Sequence, residues 1–224
     1  MKKERIFTLI CLALLILLGI KFIFNENLPR VESKKEVPKV VQRSVPKSVP
    51  KPTAPKEPLV LFPIAQFEQR ITKKPFGIYI TPQNSPVMPE RFTGYHTGDD
   101  AEYGDVAGNV PVYAVYSGQI VLSEWVSGYG GTIVLHAVIN GEDLYILYGH
   151  LNPSSLTPVN SNVTKGEQIA ILGQGYTQET DGERKHLHFS IHKGSLDLRG
   201  YVQSQSELSG WYDPLEFYST INNT

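Results

Sequence analysis

His186-Leu187-His188-Phe189 alternates polar and apolar side chains with the period of a β-strand. In an extended chain, residues two apart share a face. Both imidazoles therefore open on one site, and Leu187 and Phe189 enter a core on the opposite side. A chain built around such a strand needs a sheet with one packed face and one face free for chemistry.

The rest of the chain supplies the other strands. Residues 112–115, 119–126, 132–139, 144–148, 168–172 and 186–191 are runs of β-branched, aromatic and other apolar residues. Turn residues separate several of them: Ser117-Gly118, then Gly128-Tyr129-Gly130-Gly131, then Asn140-Gly141, which signals a type I′ hairpin. No amphipathic helix of convincing length appears, although residues 207–221 have room for a short one. The pattern predicts an all-β fold with a compact antiparallel β-sheet core, arranged as a folded sheet or sandwich. Long loops at 96–109, 152–165 and 174–185 are expected to flank a groove.

The N-terminus has a different character. Met1-Lys2-Lys3-Glu4-Arg5 precedes an apolar run over residues 6–20, then Lys21 and Phe22-Ile23-Phe24. With Lys21 snorkelling, the run reaches roughly 19 residues, against the ~20 a bilayer needs. Bulky residues after Ile20 offer no small-x-small cleavage site, and apolar residues continue too far past Cys11 for a lipoprotein signal. Residues 1–24 therefore read as an uncleaved transmembrane signal-anchor with a cytoplasmic N-terminus, in preference to a cleaved signal peptide. Residues 25–58 carry prolines at 29, 38, 46, 50, 52, 55 and 58 with basic residues between them. They read as a disordered linker with a reach on the order of 100 Å. Residues 59–93 form a pre-core segment, read as ordered turns packing on the core or as a flap across the groove. Residues 94–224 hold the main domain. The expected location is the cell membrane, single-pass, with the domain outside the cytoplasm.

Charge and cysteine content narrow the chemistry. Lys and Arg number 21 against 22 Asp and Glu, so there is no broad electrostatic case for nucleic acid. Cys11 is the single cysteine, which rules out an internal disulfide and any cysteine-based zinc site. Metal chemistry must then use histidine and carboxylate.

Those ligand types fall at three separated places: His96-Thr97-Gly98-Asp99-Asp100, Tyr148-Gly149-His150-Leu151 and the His186/His188 pair. Three protein ligands with a fourth position left for water is the pattern of a catalytic zinc site. Residue types alone do not decide between His186 and His188, or between Asp99 and Asp100, as ligands.

With these residues in view, the chain resembles the lysostaphin/LytM-type zinc endopeptidases, peptidase family M23. The resemblance runs through His96-x-Gly98-x-Asp100, Val112-Tyr113-Ala114 with Gly118, and Tyr129-Gly130-Gly131-Thr132-Ile133-Val134-Leu135-His136. It continues through Tyr148-Gly149-His150-Leu151, Gly166 with Ile169 and Gly173, and His186-Leu187-His188-Phe189. It implies His96, Asp100 and His188 as ligands of one Zn2+ per domain, and His150 and His186 as the catalytic pair. It also implies a lysostaphin/LytM-like groove across one sheet and hydrolysis of stem or cross-bridge peptides of cell-wall peptidoglycan. Some members of the family have lost the metal site and activate other wall enzymes, so a non-catalytic adaptor is the competing expectation. A third reading keeps the enzyme but gives it a protein target. A monomer is expected.

The remaining residues receive simpler readings. His136 is a strand residue with a local partner, and His192 is solvated at the end of its strand. Asp99 is a surface or supporting carboxylate. Tyr148 packs at a strand end, with its hydroxyl within possible reach of the groove. The loop Gly175-Tyr176-Thr177-Gln178-Glu179-Thr180-Asp181-Gly182-Glu183-Arg184-Lys185 departs from the family's small-residue turn. It is expected to alter peptide fit without touching the ligands.

Overall fold

The computed structural model describes residues 61–222. The anchor and linker assigned to residues 1–24 and 25–58 lie outside the described residues. Among those described, no helix is long and apolar enough to cross a membrane.

Twelve strands are described: β1 (Tyr79–Ile80), β2 (Gly94–His96), β3 (Asp99–Glu102), β4 (Pro111–Tyr113), β5 (Gly118–Val126), β6 (Gly130–Ile139), β7 (Glu142–Leu151), β8 (Asn162–Val163), β9 (Gln168–Ile171), β10 (His186–Lys193), β11 (Tyr201–Val202) and β12 (Trp211–Tyr212). The main sheet is antiparallel with the order β12-β10-β7-β6-β5-β8, and β3 pairs with β10 off that path. One edge of β10 follows β7, while β3 and β12 share the other edge. A three-stranded sheet β1-β2-β11 and the β4-β9 pair complete the fold.

The β6–β7 hairpin turns on Asn140 and Gly141, whose φ values of 53° and 83° are both positive, as a type I′ turn requires. Beyond it, Ile133, Leu135, Ala137, Leu144, Ile146 and Tyr148 share one core with Leu187, Phe189 and Ile191. Full burial of such side chains stabilises by roughly 1.5–3 kcal/mol each. Residues 61–93 contribute to this core as well. Phe67 is fully buried, and its ring meets Phe189 edge-on at 5.4 Å.

The structure departs from the sequence reading in several places. The loop expected at 96–109 contains β3, which pairs with β10. Asp99-Asp100-Ala101-Glu102 has almost no apolar content to mark it as a strand, and its place depends on that pairing. β7 continues past Tyr148 to Leu151. The Tyr148 hydroxyl accepts the Val115 N–H at 3.1 Å inside the core, away from the groove. The other two loops contain single 3-10 turns, Pro153–Ser155 and Gln178–Thr180, and β8. The C-terminal region holds helices at Gln205–Leu208 and Pro214–Asn222.

Candidate metal centre

Strand register assembles the centre. Residues directly opposite in an antiparallel pair share a face of the sheet. Asp100 lies opposite His188 and Asp99 opposite Phe189, so Asp100 faces the site and Asp99 does not. The turn between β2 and β3 presses on β10 at Gly98, where a Cβ would stand 2.4 Å from the Phe189 carbonyl oxygen. Only glycine allows that approach, which brings His96 beside Asp100.

The structure brings His96, Asp100 and His188 together, each nearly fully buried. His96 Nε2 lies 3.1 Å from His188 Nδ1 and 3.3 Å from Asp100 Oδ1, and His188 Nδ1 lies 3.1 Å from the same oxygen. A tetrahedral ion with bonds of about 2.0–2.1 Å holds its ligands roughly 3.3–3.4 Å apart, so the three donors fit one metal ion. The tautomer at His96 agrees, because its Nδ1–H donates to the Pro75 carbonyl at 3.2 Å and leaves Nε2 a lone pair. Burial, with His96 adding to it, pushes the His188 imidazole down to about 4, so it is neutral at pH 7. Burial alone would raise Asp100. The charges of His186, His96 and Arg184 outweigh that effect and hold it well below the usual carboxylate range.

His150 and His186 stand beside this triangle with ring centroids 4.1 Å apart. His150 Nδ1–H donates to the Thr180 carbonyl (3.3 Å), and His186 Nδ1–H to the Arg184 carbonyl (2.9 Å). Each Nε2 is thereby left for the site, and that of His186 lies 3.4 Å from Asp100 Oδ2. Burial first, then the neighbouring charge of His186, hold His150 well below the ordinary imidazole range. His150 also has φ 61°, a left-handed conformation uncommon for a side-chain-bearing residue. Its N–H bonds Tyr129 O at 3.0 Å and its carbonyl accepts from Gly173 N–H at 2.8 Å. The surrounding structure thus fixes this unfavoured backbone at a site residue. A cavity of about 300 Å³ opens over His150, His186 and His188.

The charged loop does touch a proposed ligand, contrary to the sequence reading. Arg184 Nη2 donates to Asp100 Oδ2 and to Glu102 Oε1, both at 2.7 Å, and Nε bonds both Glu102 oxygens. The guanidinium thereby orients Asp100 with Oδ1 toward the triangle. Removing one partner of a buried ion network costs about 3–5 kcal/mol. Arg184→Met is expected to destabilise the metal-free protein on that order, and zinc should return part of the loss by restoring positive charge. Denaturant melts with and without zinc measure both effects.

Asp99 is buried, so its reading as a surface carboxylate fails. Oδ1 accepts the Phe76 N–H at 2.8 Å and Oδ2 has no partner among the described residues. Burial pushes its pKa up to about 7 from 3.8. Between those values the folded state holds the extra proton, so on this group's account stability falls as pH rises from about 4 to 7. Asparagine does not titrate. The stability difference between Asp99→Asn and the parent, both metal-free, is expected to move in the variant's favour from pH 4 to pH 8. Urea titrations at the two pH values test this.

Two histidines stand apart from the centre. His136 pairs with Asp143 at 2.7 Å, the local partner expected of a strand residue. His192 bonds the Ser195 carbonyl and packs its ring on Trp211. Sequence reading missed Arg184 and the Thr180 carbonyl, and also Tyr129 and Tyr201, whose rings lie 5.1 Å from His188 and His96 respectively. A backbone carbonyl leaves no trace in residue types. Tyr129 stood within a quoted motif, but nothing in its spacing marks a role.

The stretch that holds these residues is similar to known proteins. The model of peptidase family M23 matches residues 94–199. The murein hydrolase activator EnvC of Escherichia coli (strain K12) is 34% identical over 82 residues, which are 37% of this chain and 18% of that protein. This chain thus spans under a fifth of that relative's length. Among solved structures, the catalytic domain of the antimicrobial peptidase lysostaphin from Staphylococcus simulans is 25% identical, with a TM-score of 0.47, over 70% of this chain and 99% of that one. A structure of LytU is 27% identical, also with a TM-score of 0.47, over 67% and 85%.

Proposed function

With residues 94–199 an M23/LytM-type peptidase domain, we propose that the chain is a zinc-dependent endopeptidase that hydrolyses stem or cross-bridge peptides of bacterial peptidoglycan. The observation that carries this reading is the triangle of His96, Asp100 and His188 donors with two further histidines at its side. A zinc ion held there would polarise the scissile carbonyl and acidify a water molecule. His150, neutral near pH 7, would take the water's proton at Nε2. That same proton would pass to the leaving amine by way of the adjacent His186 Nε2, which faces Asp100 Oδ2. The buried ligands and Tyr129 exclude bulk water, which strengthens each of these interactions. We place the domain outside the cytoplasm, tethered by residues 1–24 through the spacer at 25–58.

A second reading is supported by the local likeness to a murein hydrolase activator. In that case the domain would bind wall or a wall enzyme without cutting. Retention of His96, Asp100, His150, His186 and His188 favours the enzyme. The test is incubation of the zinc-loaded protein with purified cell wall, followed by mass spectrometry of soluble fragments. Release of peptides that stops on chelation supports the peptidase and identifies the bond. Wall binding without release, at full zinc occupancy, supports the adaptor.

A further inference from the structure

Lys74 is an unusual residue for a cavity wall. Its ammonium is buried, paired with the buried Glu90, and lines the same cavity as His150, His186 and His188. A buried ion pair is seldom more stabilising than apolar residues of the same volume, so its presence beside the metal centre calls for a reason. Lys74 Nζ also donates to the Tyr201 hydroxyl at 3.1 Å. With the phenolic oxygen accepting from Lys74, the hydroxyl's own proton has no protein acceptor among the described residues and can serve a ligand in the cavity that Tyr201 lines.

Tyr201 is held firmly. β11 pairs with β2 so that Tyr201 lies opposite His96. Its ring lies 5.1 Å from the His96 ring and stacks on Phe92 at 5.3 Å and 13°. A fixed donor beside the metal centre is the arrangement that stabilises developing negative charge, because it needs no reorganisation during the reaction.

We propose that Tyr201 is a catalytic residue whose hydroxyl donates a hydrogen bond to the scissile carbonyl oxygen as that oxygen gains negative charge, with Lys74 as the positioning residue that polarises it. No proton leaves Tyr201 in this role; the bond shortens and strengthens. The inference rests on the peptidase reading.

The test uses the full zinc-loaded chain with Tyr201→Phe, which keeps the ring and its stacking. Cleavage of soluble peptides from purified wall is expected to lose about 10²-fold in kcat, the effect of removing one such donor, with KM and zinc content within about threefold. A phosphinic peptide, whose tetrahedral anion imitates the charged oxygen, should bind about 10²-fold more weakly. Lys74→Gln keeps a donor but removes the charge; it should lower kcat about threefold alone and add nothing in the Tyr201→Phe background. Near-parental kcat in Tyr201→Phe, unchanged phosphinic peptide binding, or a parallel loss of zinc would overturn the proposal, the last in favour of a structural ring. A full additional Lys74→Gln loss in the double variant would remove Lys74 from it. If the parent binds zinc but cleaves nothing, the peptidase reading itself falls. If the parent cleaves and Tyr201→Phe cleaves equally well, only the donor assignment falls.

Discussion

His188→Ala is expected to remove zinc and turnover together. With its Nδ1 gone, the triangle keeps two donors, and two ligands hold zinc far more weakly than three. The expected activity is lower by more than about 10³-fold at micromolar zinc, since Lewis acidity and water activation leave with the metal. The fold should survive. His188 faces the site, while Leu187 and Phe189, on the opposite face of the same strand, keep their core contacts. Metal analysis of the purified variant, alongside its circular dichroism, tests this outcome, and a folded protein with full zinc occupancy would refute the ligand assignment.

His150→Ala separates metal from chemistry. His150 is outside the donor triangle, so zinc content should stay at one per chain. Turnover should drop by about 10²–10⁴-fold, the usual contribution of a positioned acid or base, with a smaller change in KM. Histidine tolerates the left-handed backbone at φ 61° better than alanine does, so a His150→Asn variant, which suits that backbone and lacks the imidazole, should show the same loss if it belongs to the ring. A rate within a few-fold of the parent would exclude His150 as proton acceptor.

The parts of this centre that were legible in the sequence are those set by local periodicity. The alternation at His186 to Phe189 predicts both the strand and its two faces, and Asn140-Gly141 predicts the hairpin that brings β7 beside β6. The choice between Asp99 and Asp100 was not legible from residue types. It depends on which residue lies opposite His188, and β3 has too few apolar side chains to announce itself as a strand. Family spacing pointed to Asp100, and the register agrees. Two-residue strands such as β1 and β11 have no periodicity to detect. Arg184 was misjudged for a different reason. A charged loop residue reads as solvated, and its burial follows only once Asp100 and Glu102 present a matching pair of carboxylates.

Residues 61–93 lie before the stretch that the family model matches, yet the centre leans on them. Phe67 fills the core behind Phe189, the Pro75 carbonyl fixes the tautomer of His96, and the Asp100 N–H donates to the Lys74 carbonyl. The same segment lines the cavity with Phe92 and Thr93, and beside them Arg91 bonds Asp181 and Glu183. An expression boundary drawn at residue 94 would therefore cut through the molecule's working parts, leaving a core with a hole and an imidazole free to rotate. Recombinant work on this centre should keep the chain from residue 61 onward.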